Sequence, residues 1–399
     1  VPLALLALAV GGFAIGTTEF VAMGLLPEMA ATFGVSIPTA GWIITAYALG
    51  VVVGAPTLTA LAHRYSRKHV LIGLMVLFTL GHVATALAPT FGLLVAARAV
   101  SALSHGAFFG ASAVVARHLA PPGKQGQAMA LAITGLTVAN IVGVPLGTAL
   151  GQQYGWRLTY AVVAGIGLLT IAALALLVPD VRTPSAGLRA ELSAFSRAQV
   201  WLTMLITVIG FSGLFTVLSY IAPILTDLAG YSPGSVSWLL VLFGVGATAG
   251  NLLGGRLADW SVPRTLLLGL CAQTGVFAVF AVAGGRPVVA AAAVFAFGFA
   301  GFSMSTAIQT RAIVAAGGGA SMVAAAQQAG FNIGNAMGAF LGGLVLDAGL
   351  GYRSPMVVAA GLTLTGLAVA ALAGWLDRSG RAPLEPAPAR PGEPAATTG

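Results

Sequence analysis

Of 399 residues, 58% are hydrophobic and 7% are charged, whereas a soluble domain carries about 25% charged residues. Such a chain cannot cover itself with a water-compatible surface, so a soluble globular fold is excluded and lipid is its solvent. The net charge of +8 is spread over short loops rather than gathered on one face, which points to membrane topology and away from nucleic acid.

Each bilayer crossing needs about 20 apolar residues. Apolar runs broken by polar, Pro or Gly punctuation fall at 3–27, 38–62, 69–89, 91–119, 128–152, 157–178, 201–226, 235–258, 263–284, 287–310, 319–348 and 354–375. Twelve membrane helices are predicted, because backbone groups in lipid must be satisfied within the segment and no run alternates as a barrel strand would. The first run is too long for a cleavable signal and lacks a basic start. Within it, "GTTEFVAMGLLPEMA" (16–30) holds Glu19, the one ionisable side chain between Val1 and Leu26. Low dielectric disfavours the charged form of a carboxyl group. Glu19 is therefore expected either to take up and release a proton or to form a structural bond to Arg98 or the backbone.

The second run contributes Tyr47. The third and fourth contribute His82 and His105, each readable as an interhelical contact or as a proton carrier, and Arg98 lies near the start of the fourth, where it could pair with Glu19 or snorkel to the interface. In the fifth, Asn140 accompanies Gly135, Gly143, Pro145 and Gly147. Glycines four apart let another backbone approach, and Pro145 can bend the helix. This helix is read as a moving contact between two halves. Tyr220, Asn251, Gln273, Gln309, Gln327, Gln328, Asn332 and Asn335 are the polar groups at mid-helix depth in the later runs. Tyr47, Asn140, Tyr220, Gln309, Gln327 and Asn332 are taken as the lining of a neutral, moderately polar substrate cavity.

Four segments follow: a six-helix bundle over 1–178, a linker over 179–200, a second bundle over 201–376, and a Pro/Ala/Gly-rich tail over 377–399 that is predicted to be disordered. If alternate loops share a side, one side collects Arg64, Arg67, Lys68, Arg117, Lys124, Arg182, Arg189, Arg197, Arg256, Arg264, Arg311, Arg378, Arg381 and Arg390. The other has Arg157, Arg286 and Arg353. The richer side is expected to be cytoplasmic, with both termini on it. The bundles also repeat. At an offset of 196, Pro27 meets Pro223, Trp42 meets Trp238, and Gly50 and Gly54 meet Gly246 and Gly250; at 195, Asn140 meets Asn335. Six helices return the repeat to the same side, which implies a pseudo-two-fold axis along the membrane normal and a site between the halves.

No zinc-protease helix, Gly-x-Ser-x-Gly elbow or Walker loop is present, and no metal or cofactor is expected. "GASA" at 110–113 lacks the last glycine of an intramembrane serine protease motif. A channel would need a filter that is not recognisable here. The single Cys271 cannot form an internal disulfide.

The stretches "GTTEFVAMGLLPEMA", "LAHRYSRKHVL", "RAVSALSHGAFFGASAVVA", "GLTVANIVGVPLGTALGQQYGWR" and "GNLLGGRLADWSVPRTLLLG" together resemble the major facilitator superfamily. The resemblance is to its bacterial drug:proton antiporter branch, with arabinose-efflux-like and chloramphenicol-resistance-like members. It implies an all-α membrane protein of twelve helices in two pseudo-symmetric six-helix bundles. It also implies proton-coupled efflux by alternating access, with an acidic residue of the first helix (here Glu19) in proton coupling beside Arg98 and His105. The partners expected are a small amphipathic compound such as a phenicol antibiotic, protons and the lipid bilayer, for a monomer in the bacterial inner membrane. Export of sugars, nucleosides or other metabolites, and proton-coupled import, are the alternatives. The family's loop between helices 2 and 3 reads Gly-x-Leu-Ala-Asp-Arg-x-Gly-Arg-Arg. Here Thr59, His63 and Ser66 replace its glycines and Asp, while Arg64, Arg67 and Lys68 remain. The second copy keeps Gly255, Asp259 and Arg264, so the resemblance implies a conformational latch in that copy. The helix 5 pattern around Gly143 and Pro145 resembles the antiporter signature of exporters.

Overall fold

Glycine and proline decide where these apolar helices touch and where they break. The computed structural model describes residues 2–62, 65–121, 125–181, 193–316 and 320–384. Eleven of its helices are long and apolar enough to cross a membrane. The longest, Pro233–Ala283, is two helices joined at Ser261, whose φ of −166° and ψ of 105° are extended; counting both gives twelve crossings. They are α1 (Pro2–Gly24), α2 (Trp42–Ala62), α3 (Arg67–Leu87), α4 (Phe91–Leu119), α5 (125–154), α6 (Trp156–Leu177), α7 (Ala198–Leu218), α8 (233–260), α9 (262–283), α10 (Pro287–Ala316), α11 (Ala320–Asp347) and α12 (Ser354–Arg378). The sequence-predicted runs coincide with them to within a few residues, except where a proline intervenes.

Pro27 has no N–H for the carbonyl four residues back, and α1 breaks at Leu25 (φ −108°, ψ 11°) before a short helix Leu26–Phe33. Its repeat partner Pro223 follows the equivalent break of α7 at Tyr220 (φ −115°, ψ 22°). In α5, Pro145 sits just after a π-helical turn, Ala139–Gly143, the widened turn that a missing donor permits.

Packing obeys the repeat. In the first half α2 lies on α4, α1 on α5 and α3 on α6; in the second, α8 lies on α10 and α7 on α11, while α12 rests on the α8–α9 pair and on α7. A Cβ on Gly54 would lie 2.2 Å from the Leu103 carbonyl oxygen, and one on Gly250 would lie 2.1 Å from that of Phe299. Both the glycines and their contacts are 196 residues apart. Arg157 donates to the Ala88 carbonyl after α3, and Arg353 donates to those of Ala281 and Val282 ending α9. Two of the three cations on the charge-poor side therefore serve as repeat-related caps on helix C-termini.

The halves meet along α2–α11 and α5–α8. At the end remote from the termini they share one core: Phe20, Met23, Leu26 and Ile43 of the first half pack with Phe215, Leu218, Ile221, Leu240 and Phe243 of the second. At the terminal end the cores separate. Leu8, Leu71 and Val115 belong to a cluster of the first half alone, and Val200, Ala312 and Val323 to one of the second alone. The bundle is thus sealed at one end and parted at the other.

Two boundaries differ from the sequence reading. Of the 179–200 linker only 179–181 and 193–200 are described, and α7 already begins at Ala198. Residues 377–384, read as the start of a disordered tail, are placed: Arg378 ends α12, Leu384 N–H donates to Asp377 Oδ1 at 2.7 Å, and Gln199 Nε2 donates to the Ala382 carbonyl at 2.6 Å.

Candidate functional site

Glu19 lies five residues before the end of α1, and the neighbouring turns of α2 and α4 bring Tyr47, Arg98 and His105 to it. His105 Nε2 is 4.0 Å from Glu19 Oε2, which is too long for a direct hydrogen bond. The other imidazole nitrogen, Nδ1, lies 3.2 Å from the Tyr47 hydroxyl. When that hydroxyl donates to Nδ1, the Nε2–H points towards the carboxyl group. Glu19 keeps 10% of its side-chain surface open, against 2% for His105. The carboxyl group is thus the more open member of a nearly sealed polar network.

Arg98 corrects the sequence reading. It does not snorkel: it is two turns into α4 and wholly buried. Nor does it pair directly with Glu19, since the His105–Glu19 contact is the one ion-pair geometry within 4.0 Å among the described residues. Its Nη1 donates to Thr18 Oγ1 at 2.8 Å and its Nη2 to the Thr18 carbonyl at 3.1 Å. The guanidinium also lies 4.1 Å from the Tyr47 ring centroid and 5.4 Å from that of Tyr160. A charge at this depth costs about 2.5–3.5 kcal/mol to insert. Hydrogen bonds from a charged donor return about 1.5–3 kcal/mol each, and a desolvated cation–π contact about 2 kcal/mol, so the guanidinium is held without a counter-ion in contact.

The protons along this network can be assigned. His82 Nδ1 lies 2.7 Å from the Phe78 carbonyl and must be its donor. Nε2 of the neutral ring therefore accepts from Thr18 Oγ1 at 2.6 Å, and Thr18 in turn accepts from Arg98. His82 is a fully bonded link from α3 to α1, the interhelical-contact alternative. Thr18 and Tyr160 were not singled out in the sequence; Thr18 adjoins Glu19, but no local pattern marks Tyr160.

The remaining candidates are scattered. Asn140 lies on the seam between halves, where a Cβ added to Gly244 of α8 would be 2.3 Å from its carbonyl oxygen. Gln327 donates to Thr207 of α7, and Asn332 donates to the Gln328 carbonyl at 3.0 Å. Gln309 is exposed, its amide 3.4 Å from Ser305 Oγ. Tyr220 does not line the cavity. The break in α7 carries it to the sealed end, where its hydroxyl donates to the Ala339 carbonyl at 2.8 Å. There it lines an outer pocket of about 110 Å³ with Trp42, Phe340 and Asp347.

The glycine stripe of α5 also requires correction. Gly135, Gly143 and Gly147 face α1 of their own half: Cβ atoms there would meet the Ala9 carbonyl oxygen at 1.8 Å, Thr17 Oγ1 at 2.2 Å and Val21 Cγ2 at 3.0 Å. The contacts between the halves on this helix are instead made by other residues, among them Asn140–Ile141 against Gly244 and Gln152, whose Oε1 accepts from Ser237 Oγ at 3.4 Å. Of the latch residues, Arg64 lies outside the described residues. Arg67 N–H donates to the Val181 carbonyl at 2.9 Å, Lys68 is half-buried and Gly255 has open space at its Cα. Arg264 lies 4.9 Å from the Trp260 ring. Asp259 is exposed and has no cation within 4.0 Å among the described residues.

A family model described as Major Facilitator Superfamily matches residues 8–327 and 221–397. The inner membrane transport protein YdhP of Escherichia coli (strain K12) is 42% identical over 369 residues, covering 92% of this chain and 94% of that protein. The chloramphenicol resistance protein of Streptomyces lividans is 34% identical over 374 residues, covering 92% and 95%. A crystal structure of a bacterial homolog of the human lysosomal transporter Spinster, inward-facing and unoccupied, superposes with a TM-score of 0.80 at 18% identity, covering 97% of this chain and 98% of that one. By sequence and by fold, this multi-pass membrane protein belongs to the Major Facilitator Superfamily of transporters.

Proposed function

We propose that the chain is a proton-coupled antiporter that exports small amphipathic compounds by alternating access, with a phenicol-like antibiotic as the leading cargo. The observation that carries this reading is the setting of Glu19. Among the acidic residues described it alone lies more than one turn inside a spanning helix, and its carboxyl group is 4.0 Å from His105. A carboxyl group so placed can carry a proton inward when the interior opens to the outside and give it up when the interior opens to the cytoplasm. Cargo moves outward in the same cycle. His105 and Tyr47 position the carboxyl group, and Arg98 fixes the backbone next to it through Thr18. The resistance-protein relative supports a drug as cargo, and the fourteen-to-three asymmetry of Lys and Arg supports cytoplasmic termini in a bacterial inner membrane.

Everted membrane vesicles test both parts. A panel of labelled compounds should accumulate inside them only when a pH gradient, acid inside, is imposed. A cysteine at Arg378 in a Cys271→Ala background should react there with a membrane-impermeant maleimide. Accumulation that ignores the gradient sinks the coupling; a cysteine that reacts only in right-side-out vesicles or cells sinks the orientation.

A further inference from the structure

Three side-chain oxygens on helices that meet the opposite half have no hydrogen-bond partner among the described residues: Asn332 Oδ1 and Asn335 Oδ1 on α11, and Asn140 Oδ1 on α5. All three residues are at least nine-tenths buried. For Asn332 the chemistry of the free atom is fixed. Its other amide atom meets the Gln328 carbonyl and must be the nitrogen, so what remains open is an acceptor.

Their placement follows from the helix contacts. The face of α11 through Gly334 and Gly338 rests on α7, against Val208 and Ser212. The face through Phe340 and Gly343 meets Trp42 of α2 and Pro38 in the short helix before it. At about 100° per residue, Asn332 and Asn335 occupy the arc between those faces, while the opposite arc carries exposed Ile333. Asn140 stands at the other contact between the halves, against Gly244 of α8. The two buried cations are already engaged by neutral oxygens of their own halves: Arg98 by Thr18, and Arg311 by Gln199 Oε1 at 2.6 Å and Thr203 Oγ1 at 3.2 Å.

A buried acceptor without a donor is costly, and a ligand that brings the donor recovers that cost. Carboxylate or phosphate oxygens would place negative charge against these carbonyl oxygens. A lipophilic cation with no N–H or O–H would leave them unpaired. We infer that the cargo is a molecule without an anionic group that presents several O–H or N–H donors, received by Asn332 and Asn335 of α11. This rests on reading the interior between the halves as the cargo site, and it narrows "small amphipathic" to donor-rich and not anionic.

The test uses the full chain purified in detergent. Chloramphenicol, adenosine and arabinose are each compared with their O-acetylated forms by equilibrium binding, with tetraphenylphosphonium and benzoate as donor-free probes. At least one donor-rich probe should bind, and its acetylated form should bind roughly tenfold or more weakly. Asn332→Leu and Asn335→Leu should abolish that binding while the thermal unfolding midpoint of the unliganded protein stays level or rises, since an unpaired buried polar group is being removed. Preference for tetraphenylphosphonium or benzoate, or equal binding of acetylated and free forms, overturns the inference. If no probe binds, the midpoints decide: a fall in both Leu variants means that the oxygens are paired in the folded protein and overturns it, and a level or higher midpoint supports it. Gradient-driven export of tetraphenylphosphonium would refute this inference and leave the antiporter reading intact. Donor-dependent binding by a protein whose transport ignores the gradient would do the reverse.

Discussion

Glu19→Gln is expected to abolish export driven by a pH gradient while leaving insertion, folding and exchange of neutral cargo intact. Gln preserves the size of the carboxyl group and resembles its protonated form, so the packing of α1 against α2 and α4 should survive. The 4.0 Å gap to His105 supports this, because no close ion pair holds the helices together through Glu19. The scaffold there is Arg98, Thr18 and His82, whose hydrogen bonds bypass the carboxyl group. The measurement is cargo-induced proton release from detergent-purified protein, wild type against Glu19→Gln. Release should vanish in the variant. Equal release from both proteins moves the coupling elsewhere, with His105 the next candidate.

Gly244→Leu should give a folded, inserted protein that does not transport. A Cβ at Gly244 would lie 2.3 Å from the Asn140 carbonyl oxygen, 2.7 Å from the Asn140 carbonyl carbon and 3.0 Å from Ile141 Cα. These are backbone atoms of the other half, so no rotamer change relieves the clash. The halves must separate at the seam, while the contacts within each half are untouched. Gly135→Leu makes the contrast. Its Cβ would meet the Ala9 carbonyl oxygen at 1.8 Å inside one half, and overpacking of a closed interface costs about 1–3 kcal/mol or more. That variant should lose folded protein as well as transport. The readout that separates them is the reactivity of a cysteine at Thr45, which is buried beside the outer pocket, in a Cys271→Ala background. It should rise in Gly244→Leu protein that still elutes as a monodisperse peak. Wild-type transport by Gly244→Leu would show that the α5–α8 seam does not move.

Much of this architecture was legible in the chain because membrane helices are written in hydropathy. The repeat was legible because Trp, Pro and Asn matches at a constant offset are hard to produce by chance. Glu19, Tyr47 and His105 could be picked out because a polar side chain in an apolar run must be bonded or used. What stayed hidden depends on the angular position of a residue around its helix. Gly143 and Gly147 announce close packing, but spacing alone does not say whether the partner is α1 or α8. Tyr220 appeared mid-helix because the apolar run continues to Thr226, and only the break at that residue moves it to the sealed end. Arg98 looked peripheral because its depth was judged from the helix start, although Tyr47 and Tyr160 close over it. Gly244 carried no signal, since its repeat partner is Ala48.

The central claim, that two halves sealed at one end rock about a shared seam, is tested most directly by spin-label distances at repeat-related positions in a Cys271→Ala protein. One pair, Ser36 and Ser232, stands at the sealed end, and both residues are exposed. The other, Arg117 and Ile313, stands at the parted end, again with both exposed. Moving reconstituted protein between pH values that protonate and deprotonate Glu19 should lengthen one distance as it shortens the other, and Glu19→Gln should hold both at one extreme. Distances that stay constant, or that lengthen together, would contradict the account.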